Sequence, residues 1–464
     1  MPTGARLIQI CAVVSFGPFL SQLDTTLVNV ALSTLSEDLN APLDVIQWVA
    51  TGYLLALALM IPLTAWLVDR VGAKRVYIIC FGMFTLASAM CGLATSAHTL
   101  IGFRIVQGMA GGLLAPMSQM MIARYSGANM AKMISLVTVP VMAAPIFGPS
   151  VAGFILHFAS WHWLFFLNLP ICIAAILLSM ILLPADDDRK ERRLDVTGFL
   201  LVSPGLVLLL DGLKRVTTTD GSLIAHIAEV AAAVLLLTAF AIRGLRMGAA
   251  GLIDLRLFKG GTFVASSITQ FFANAMQQAG QMIFPLFLLV GLGFEPAVVG
   301  LMLAPMGFGS LLARPFGDRL IRTFGPRRVS MGSAALGLVA TLPFVWPGVT
   351  MPSLLIVVAL FIRSMGQGMI NVPSVVSAYA SVPRSSLADA ATALNIVQRL
   401  GGPMATMSLA LLLQYLSGTD PASSAGLGLV TMGAFHAGFA LMCLYGLFCI
   451  LAASRLPDVV ESRR

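Results

Sequence analysis

The chain has 464 residues, 58% of them hydrophobic and 10% charged, with a formal net charge of +8 and a mean hydropathy of +0.92. That composition excludes a water-soluble domain, which would lack the polar residues to cover its surface, and implies a polytopic membrane protein. The basic residues are scattered along loop ends with no aromatic-interleaved patch, so they suit anionic lipid headgroups and no nucleic-acid partner is expected.

Lipid offers no partner for backbone polar groups, and the apolar runs lack strict alternation, so the spans are expected to be helices and not barrel strands. Apolar runs between charge clusters predict fourteen spans, near 7–34, 45–68, 76–95, 99–122, 133–157, 162–184, 196–214, 223–245, 262–292, 297–316, 329–346, 352–378, 387–416 and 430–455. The first run is too long for a signal peptide and has no small-residue cleavage site. Clusters such as Arg70, Lys74 and Arg75, then Arg189 to Arg193, then Arg319 to Arg328, all fall on one side, while the opposite loops hold Lys214 and Arg215. By the positive-inside rule both termini are expected in the cytoplasm.

The first span carries Asp24 within Leu23-Asp24-Thr25-Thr26-Leu27-Val28-Asn29. An acid at a helix centre costs roughly 2.5–3.5 kcal/mol on insertion scales, so it is expected to face a protein interior or a wet cavity. The alternative is an acid near a helix end that snorkels to the interface. After the second span, Asp69, Arg70, Gly72, Lys74 and Arg75 form a short charged turn, and Asp318, Arg319, Gly325, Arg327 and Arg328 repeat the same order. The repeat extends to Arg104-Ile105-Val106-Gln107-Gly108 and Arg363-Ser364-Met365-Gly366-Gln367-Gly368, so the chain has two homologous halves. On the fourth span Arg104, Gly108, Gly111 and Ala115 make one stripe, which brings a neighbouring helix close to a guanidinium that needs an anion.

The fifth span holds Pro145, Gly148, Pro149 and Gly153, which predict a kink. The aromatic run Trp161 to Phe166 at the next span start reads as an interfacial belt. Asp211 and Glu229 lie near outer span ends and read as interfacial acids, with a second titrating acid as the alternative. In the second half Gln270, Asn274, Gln277 and Gln281 recur at helical spacing as a polar stripe, and Asn395 and Arg399 precede Gly401-Gly402-Pro403. Cavity lining and helix-to-helix bonding both remain open for that stripe. The six cysteines all lie in apolar spans without C-x-x-C or histidine spacing, so no metal site is expected. A phosphate-loop motif is missing, so any work would be driven by an ion gradient or a partner and not by ATP hydrolysis.

These motifs resemble the fourteen-helix drug:proton antiporter branch of the major facilitator superfamily. The resemblance spans essentially the whole chain and is strongest from Leu23 to Asn168-Leu169-Pro170. Departures from the family pattern include Ala65, Ser33, Ala144 and Ala152. The resemblance implies an all-α membrane protein with the major facilitator fold, two six-helix bundles plus two extra helices. The expected division is an N-terminal bundle 1–184, a cytoplasmic linker 185–195, the extra pair 196–245, a connector 246–261, a C-terminal bundle 262–455 and a tail 456–464.

It further implies a secondary transporter of the inner membrane, not an enzyme, which exports amphipathic small molecules against protons by alternating access. Asp24 and Arg104 would couple the proton. Gln107, Gln270, Asn274, Gln277, Gln281, Asn395 and Arg399 would line the substrate cavity. Asp69, Arg70, Gly72, Asp318 and Arg319 would latch the cytoplasmic side, and Pro145, Gly148, Pro149 and Gly153 would form the antiporter motif. A monomer in the lipid bilayer is expected, with protons as coupling ion and no cofactor. A proton-coupled uptake symporter and a non-transporting sensor or scaffold are the alternatives.

Overall fold

The computed structural model describes residues 4–185, 193–215, 223–313, 316–346, 352–417 and 430–458. The charged run 186–192 of the expected linker and the tail beyond Asp458 lie outside the described residues. The helices are α1 (Gly4–Asp38), α2 (Leu43–Met60), α3 (Thr64–Val71), α4 (Ala73–Gly92), α5 (Ala97–Ser126), α6 (Met130–Phe158), α7 (His162–Phe166), α8 (Asn168–Leu182), α9 (Val196–Arg215) and α10 (Leu223–Met247). They continue as α11 (Gly261–Leu286), α12 (Pro296–Ala313), α13 (Gly317–Thr341), α14 (Ser353–Ala380), α15 (Leu387–Ser417) and α16 (Met432–Ala453). Among the described residues there is no strand.

Two compact units form. The first comprises Met1–Val207, Leu236–Leu255 and Arg384–Ala393, and the second Leu208–Leu235, Arg256–Pro383 and Leu394–Arg464.

Close helix approach in the first unit follows from small residues. A Cβ at Gly108 would collide with the Tyr53 carbonyl and one at Gly112 with the Leu57 carbonyl, so α5 lies backbone-close on α2. On the other side of α5, Ser118 Oγ donates to the Val14 carbonyl of α1 at 2.8 Å. Helix α6 contains Pro140, Pro145 and Pro149, and it bends by 40° between Met130–Pro145 and Phe147–Phe158, the kink expected of removed backbone donors. In the second unit an aromatic cluster of Phe284, Phe287, Phe344, Phe435 and Phe439 fills the space between α11 and α16.

Ten helices among the described residues are long and apolar enough to cross a membrane, or up to twelve if each of two bent pairs is one span. Fourteen spans are expected from the sequence. The difference has two sources: α11 is made more polar by its amide stripe, and Val298–Ala313 with Gly317–Phe344 counts as a single pair bent by 81°.

The internal repeat is visible in backbone conformation. Gly72 has φ 102 and ψ 147, and Gly325, which breaks α13, has φ 79 and ψ 159. Both are regions that residues with a Cβ rarely adopt. Two residues after each glycine stands a base, Lys74 in the first half and Arg327 in the second. Lys74 Nζ donates to the carbonyls of Met180 and Leu183 at 2.7 and 2.8 Å, at the negative end of α8. Arg327 lies 3.5 Å from Asp458 beyond α16.

The added pair is tied down at one end. Asp195 accepts from Gly198 N, capping α9, and from Arg243 Nη2 of α10, both at 2.9 Å. Burial opposes the charge on Asp195, but the Arg243 guanidinium and the N–H groups of Gly198 and Leu252 outweigh it and hold the carboxyl below its usual range.

Gly72→Ala and Gly325→Ala should each lower stability by about 1–3 kcal/mol through backbone strain. Gly82→Ala and Gly332→Ala, where a Cβ meets nothing within 4 Å, should be neutral or gain up to about 1 kcal/mol of helix propensity. Thermal unfolding of the four purified variants checks both signs.

Candidate functional site

Asp24 of α1 is 1% exposed and Arg104 of α5 is 0% exposed, so the snorkelling alternative does not hold. The two form an ion pair, Arg104 Nη1 to Asp24 Oδ2, at 2.5 Å. Nη1 also donates to Gln107 Oε1 at 2.8 Å, one helical turn along. Gln107 Nε2 donates to Asp24 Oδ1 at 3.1 Å, which closes a ring of three side chains.

Three further helices complete the site. Asn168 Nδ2 of α8 donates to Asp24 Oδ1 at 2.9 Å and to Ser88 Oγ of α4 at 3.1 Å. Ser88 in turn donates to the Phe165 carbonyl at 2.9 Å. Arg104 Nε donates to the Val49 carbonyl of α2 at 3.1 Å, and its guanidinium carbon lies 4.2 Å from the centre of the Tyr53 ring. The carboxylate thus accepts three side-chain hydrogen bonds, all from groups acting as donors. One lone pair, on Oδ2, is left for a proton, and the O–H formed there would need an acceptor of its own, which none of these three donors supplies. Arg104 Nη2 and Asn168 Oδ1 are buried without a partner, so the ring has unspent capacity on both sides of the carboxylate.

The aromatic run before Asn168 differs from an interfacial belt. Trp161 and Phe165 are 2% and 1% exposed and belong to the core around Leu23, Leu27 and Val28, whereas Trp163 is the exposed member. Packing against α1 pulls two of the rings inward. From α6, Gly148 meets α1 two residues past the acid: a Cβ there would lie 2.7 Å from Thr26 Cγ2. Pro145 and Pro149 are exposed, and a Cβ at Gly153 would meet nothing within 4 Å, so the close approach belongs to Gly148.

The expected cavity residues separate. Gln107 is withdrawn into the Asp24 ring. Gln270 is fully buried and its Nε2 donates to the Asn371 carbonyl at 2.9 Å and to Ser374 Oγ at 2.7 Å, so it fastens α11 to α14 and does not line an open path. The physical reason is the one that made the stripe conspicuous, since an amide at membrane depth takes the nearest acceptor. Asn274 and Gln277 are half-buried and Gln281 is exposed; a Cβ at Gly402 of α15 would lie 2.9 Å from Asn274 Oδ1. Asn395 is 4% exposed and Arg399 is half-buried, and neither lacks a partner.

Among the expected latch residues, Asp69 is buried at the end of α3, while Arg70 and Arg319 are exposed. Asp318 pairs with Arg322 at 3.1 Å. Asp211 pairs with Arg215 at 2.6 Å, and Glu229 is half-buried. The sequence reading did not single out Ser88 and Tyr53, and it named Asn168 only as part of the Asn168-Leu169-Pro170 motif, with no role at the site. Asn168 had one signal, an amide inside an apolar run beside Pro170.

Asn168→Leu removes one donor to Asp24 and should lower stability by about 1–2 kcal/mol. In a double-mutant cycle with Asp24→Asn the two losses should fall short of additive by about 1 kcal/mol, measured by thermal unfolding.

Comparison with known proteins agrees with this architecture. Residues 14–406 match the Major Facilitator Superfamily. The chain is 33% identical over 380 residues to a protein of Serratia proteamaculans named multidrug resistance protein MdtD, covering 77% of this chain and 74% of that protein. It is 29% identical over 459 residues to the protein of the same name in Yersinia enterocolitica, covering 97% and 94%. Among solved structures, the proton:xylose symporter XylE superposes with a TM-score of 0.61 over 96% of each chain at 15% identity, a likeness of fold.

Proposed function

The chain belongs to the major facilitator superfamily, and on that footing we propose that this multi-pass membrane transporter exports amphipathic small molecules in exchange for protons, by alternating access. The observation that carries the reading is the donor ring around Asp24. A proton and Arg104 compete for the same carboxylate. Protonation frees the guanidinium, and loss of the proton restores the ion pair. Because the ring joins α1, α5 and α8, its opening can move helices, which is what coupling needs. The likeness to proteins named for multidrug resistance supports drugs as the cargo class.

The same reading holds fourteen spans, with α11, α12 and α13 each crossing, α6 crossing as a bent span, both termini cytoplasmic and the inner membrane as location. The division proposed is two six-helix bundles, 1–184 and 262–455, with the pair 196–245 between them. The turns at Asp69 and Asp318 act as cytoplasmic latches, and Asn274, Gln277, Gln281, Asn395 and Arg399 contact substrate. Protons are the coupling ion, no cofactor is required, and a monomer suffices.

The test is transport in proteoliposomes under an imposed pH gradient, with ethidium as probe. Wild type should move the dye uphill against protons, Asp24→Glu should retain part of that activity, and Asp24→Asn should lose at least about tenfold, the effect of one strong charge-assisted interaction. Uphill transport by Asp24→Asn equal to wild type would make Asp24 a structural residue. Dye movement along with protons would make the protein a symporter.

A further inference from the structure

Arg363 of α14 occupies the place in the second half that Arg104 occupies in the first, but its surroundings are of another kind. It is 2% exposed. Among the described residues its hydrogen bonding amounts to Nη2 donating to the Met276 carbonyl at 2.6 Å, and its guanidinium carbon lies 5.0 Å from the centre of the Phe284 ring. Nε is buried without an acceptor.

The sequence explains why no carboxylate answers it. From residue 262 to 455 the acids are Glu295, Asp318, Asp389 and Asp420, and none of them belongs to α11, α12, α14 or α16. A guanidinium is not deprotonated in proteins, so the charge persists and has to be matched by something. In the first half the matching group is Asp24 on α1. In the second, the α11 residue that faces the guanidinium is Gly280. A Cβ there would lie 2.7 Å from Arg363 Cζ and 2.8 Å from Nη1, and would collide with Nη2. Glycine lets the guanidinium rest on the backbone of α11 and contributes no charge.

We propose that Arg363 is the cationic centre of an anion-binding site within the second unit, which takes a small monoanion, either a halide or the carboxylate of an acidic solute. Nε and the donors not spent on Met276 supply charge-assisted hydrogen bonds, and the face of Phe284 shields the bound pair from lipid. The site is independent of Asp24 and of the direction of transport.

The experiment is thermal unfolding of purified full-length protein in detergent and a low-salt zwitterionic buffer. Sodium benzoate, its uncharged isostere benzamide and sodium chloride are titrated separately. Wild type should show a saturable rise in Tm of about 3 °C with benzoate and none with benzamide. A chloride response as large as that of benzoate identifies inorganic anion as a sufficient ligand, and a response to benzoate alone identifies a carboxylate. Arg363→Met should abolish the response. Arg363→Gln removes the charge but keeps an amide donor, so it should also lose the benzoate response, which keeps the test decisive if Arg363→Met does not fold. No anion response in wild type, equal responses to benzoate and benzamide, or a benzoate response unchanged in Arg363→Gln would overturn the proposal.

Discussion

A carboxylate buried in a membrane helix is the constraint from which the first unit is built. Asp24 is tolerated because α5 brings Arg104 and Gln107 to it and α8 brings Asn168, each within hydrogen-bonding distance. Those donors need their own supports: the Val49 carbonyl and the Tyr53 ring hold Arg104, and Ser88 holds Asn168. Breaking a buried pair by removing one partner costs more than the pair contributes, so every helix in the ring is committed to its position. The glycines of α5 serve the same end, since Gly108 and Gly112 allow α2 close enough for a backbone carbonyl to reach the guanidinium.

The two halves share a plan and differ at its centre. Both place a glycine of positive φ in the charged turn after the second span of the half and follow it two residues on with a base, which in the first half bonds the end of α8. Both carry an arginine on the corresponding helix, 0% and 2% exposed. Among the described residues the first half matches that charge with Asp24, and the second half offers Arg363 no carboxylate. A duplicated scaffold has thereby acquired two electrostatic environments, and a difference of this kind is where function separates from fold.

Much of this was legible in the sequence. Apolar run lengths place all the long helices, because a span needs about 20 apolar residues and the charged turns mark its ends. Asp24 and Arg104 stood out because an ion in lipid is costly, and the same cost brings them together. The turn glycines were visible from the repeat. What was not legible depends on rotation about helix axes. Residues 270, 274, 277 and 281 share a face at ideal spacing, yet Gln270 is claimed by α14 while Gln281 is exposed, since neighbouring helices cover different lengths of that face. The ring member Asn168 and the inward turn of Trp161 and Phe165 likewise depend on which helices meet α1. A single chain's periodicity does not specify that.

The central claim is that Asp24 exchanges a proton for its bond to Arg104, and infrared difference spectroscopy of the purified protein reads it directly. Acidification should produce the C=O stretch of a protonated carboxyl that is missing from Asp24→Asn, and adding ethidium at that pH should diminish the band as the cation displaces the proton. A band of equal strength in Asp24→Asn, or one in wild type that ethidium leaves unchanged, would contradict the account.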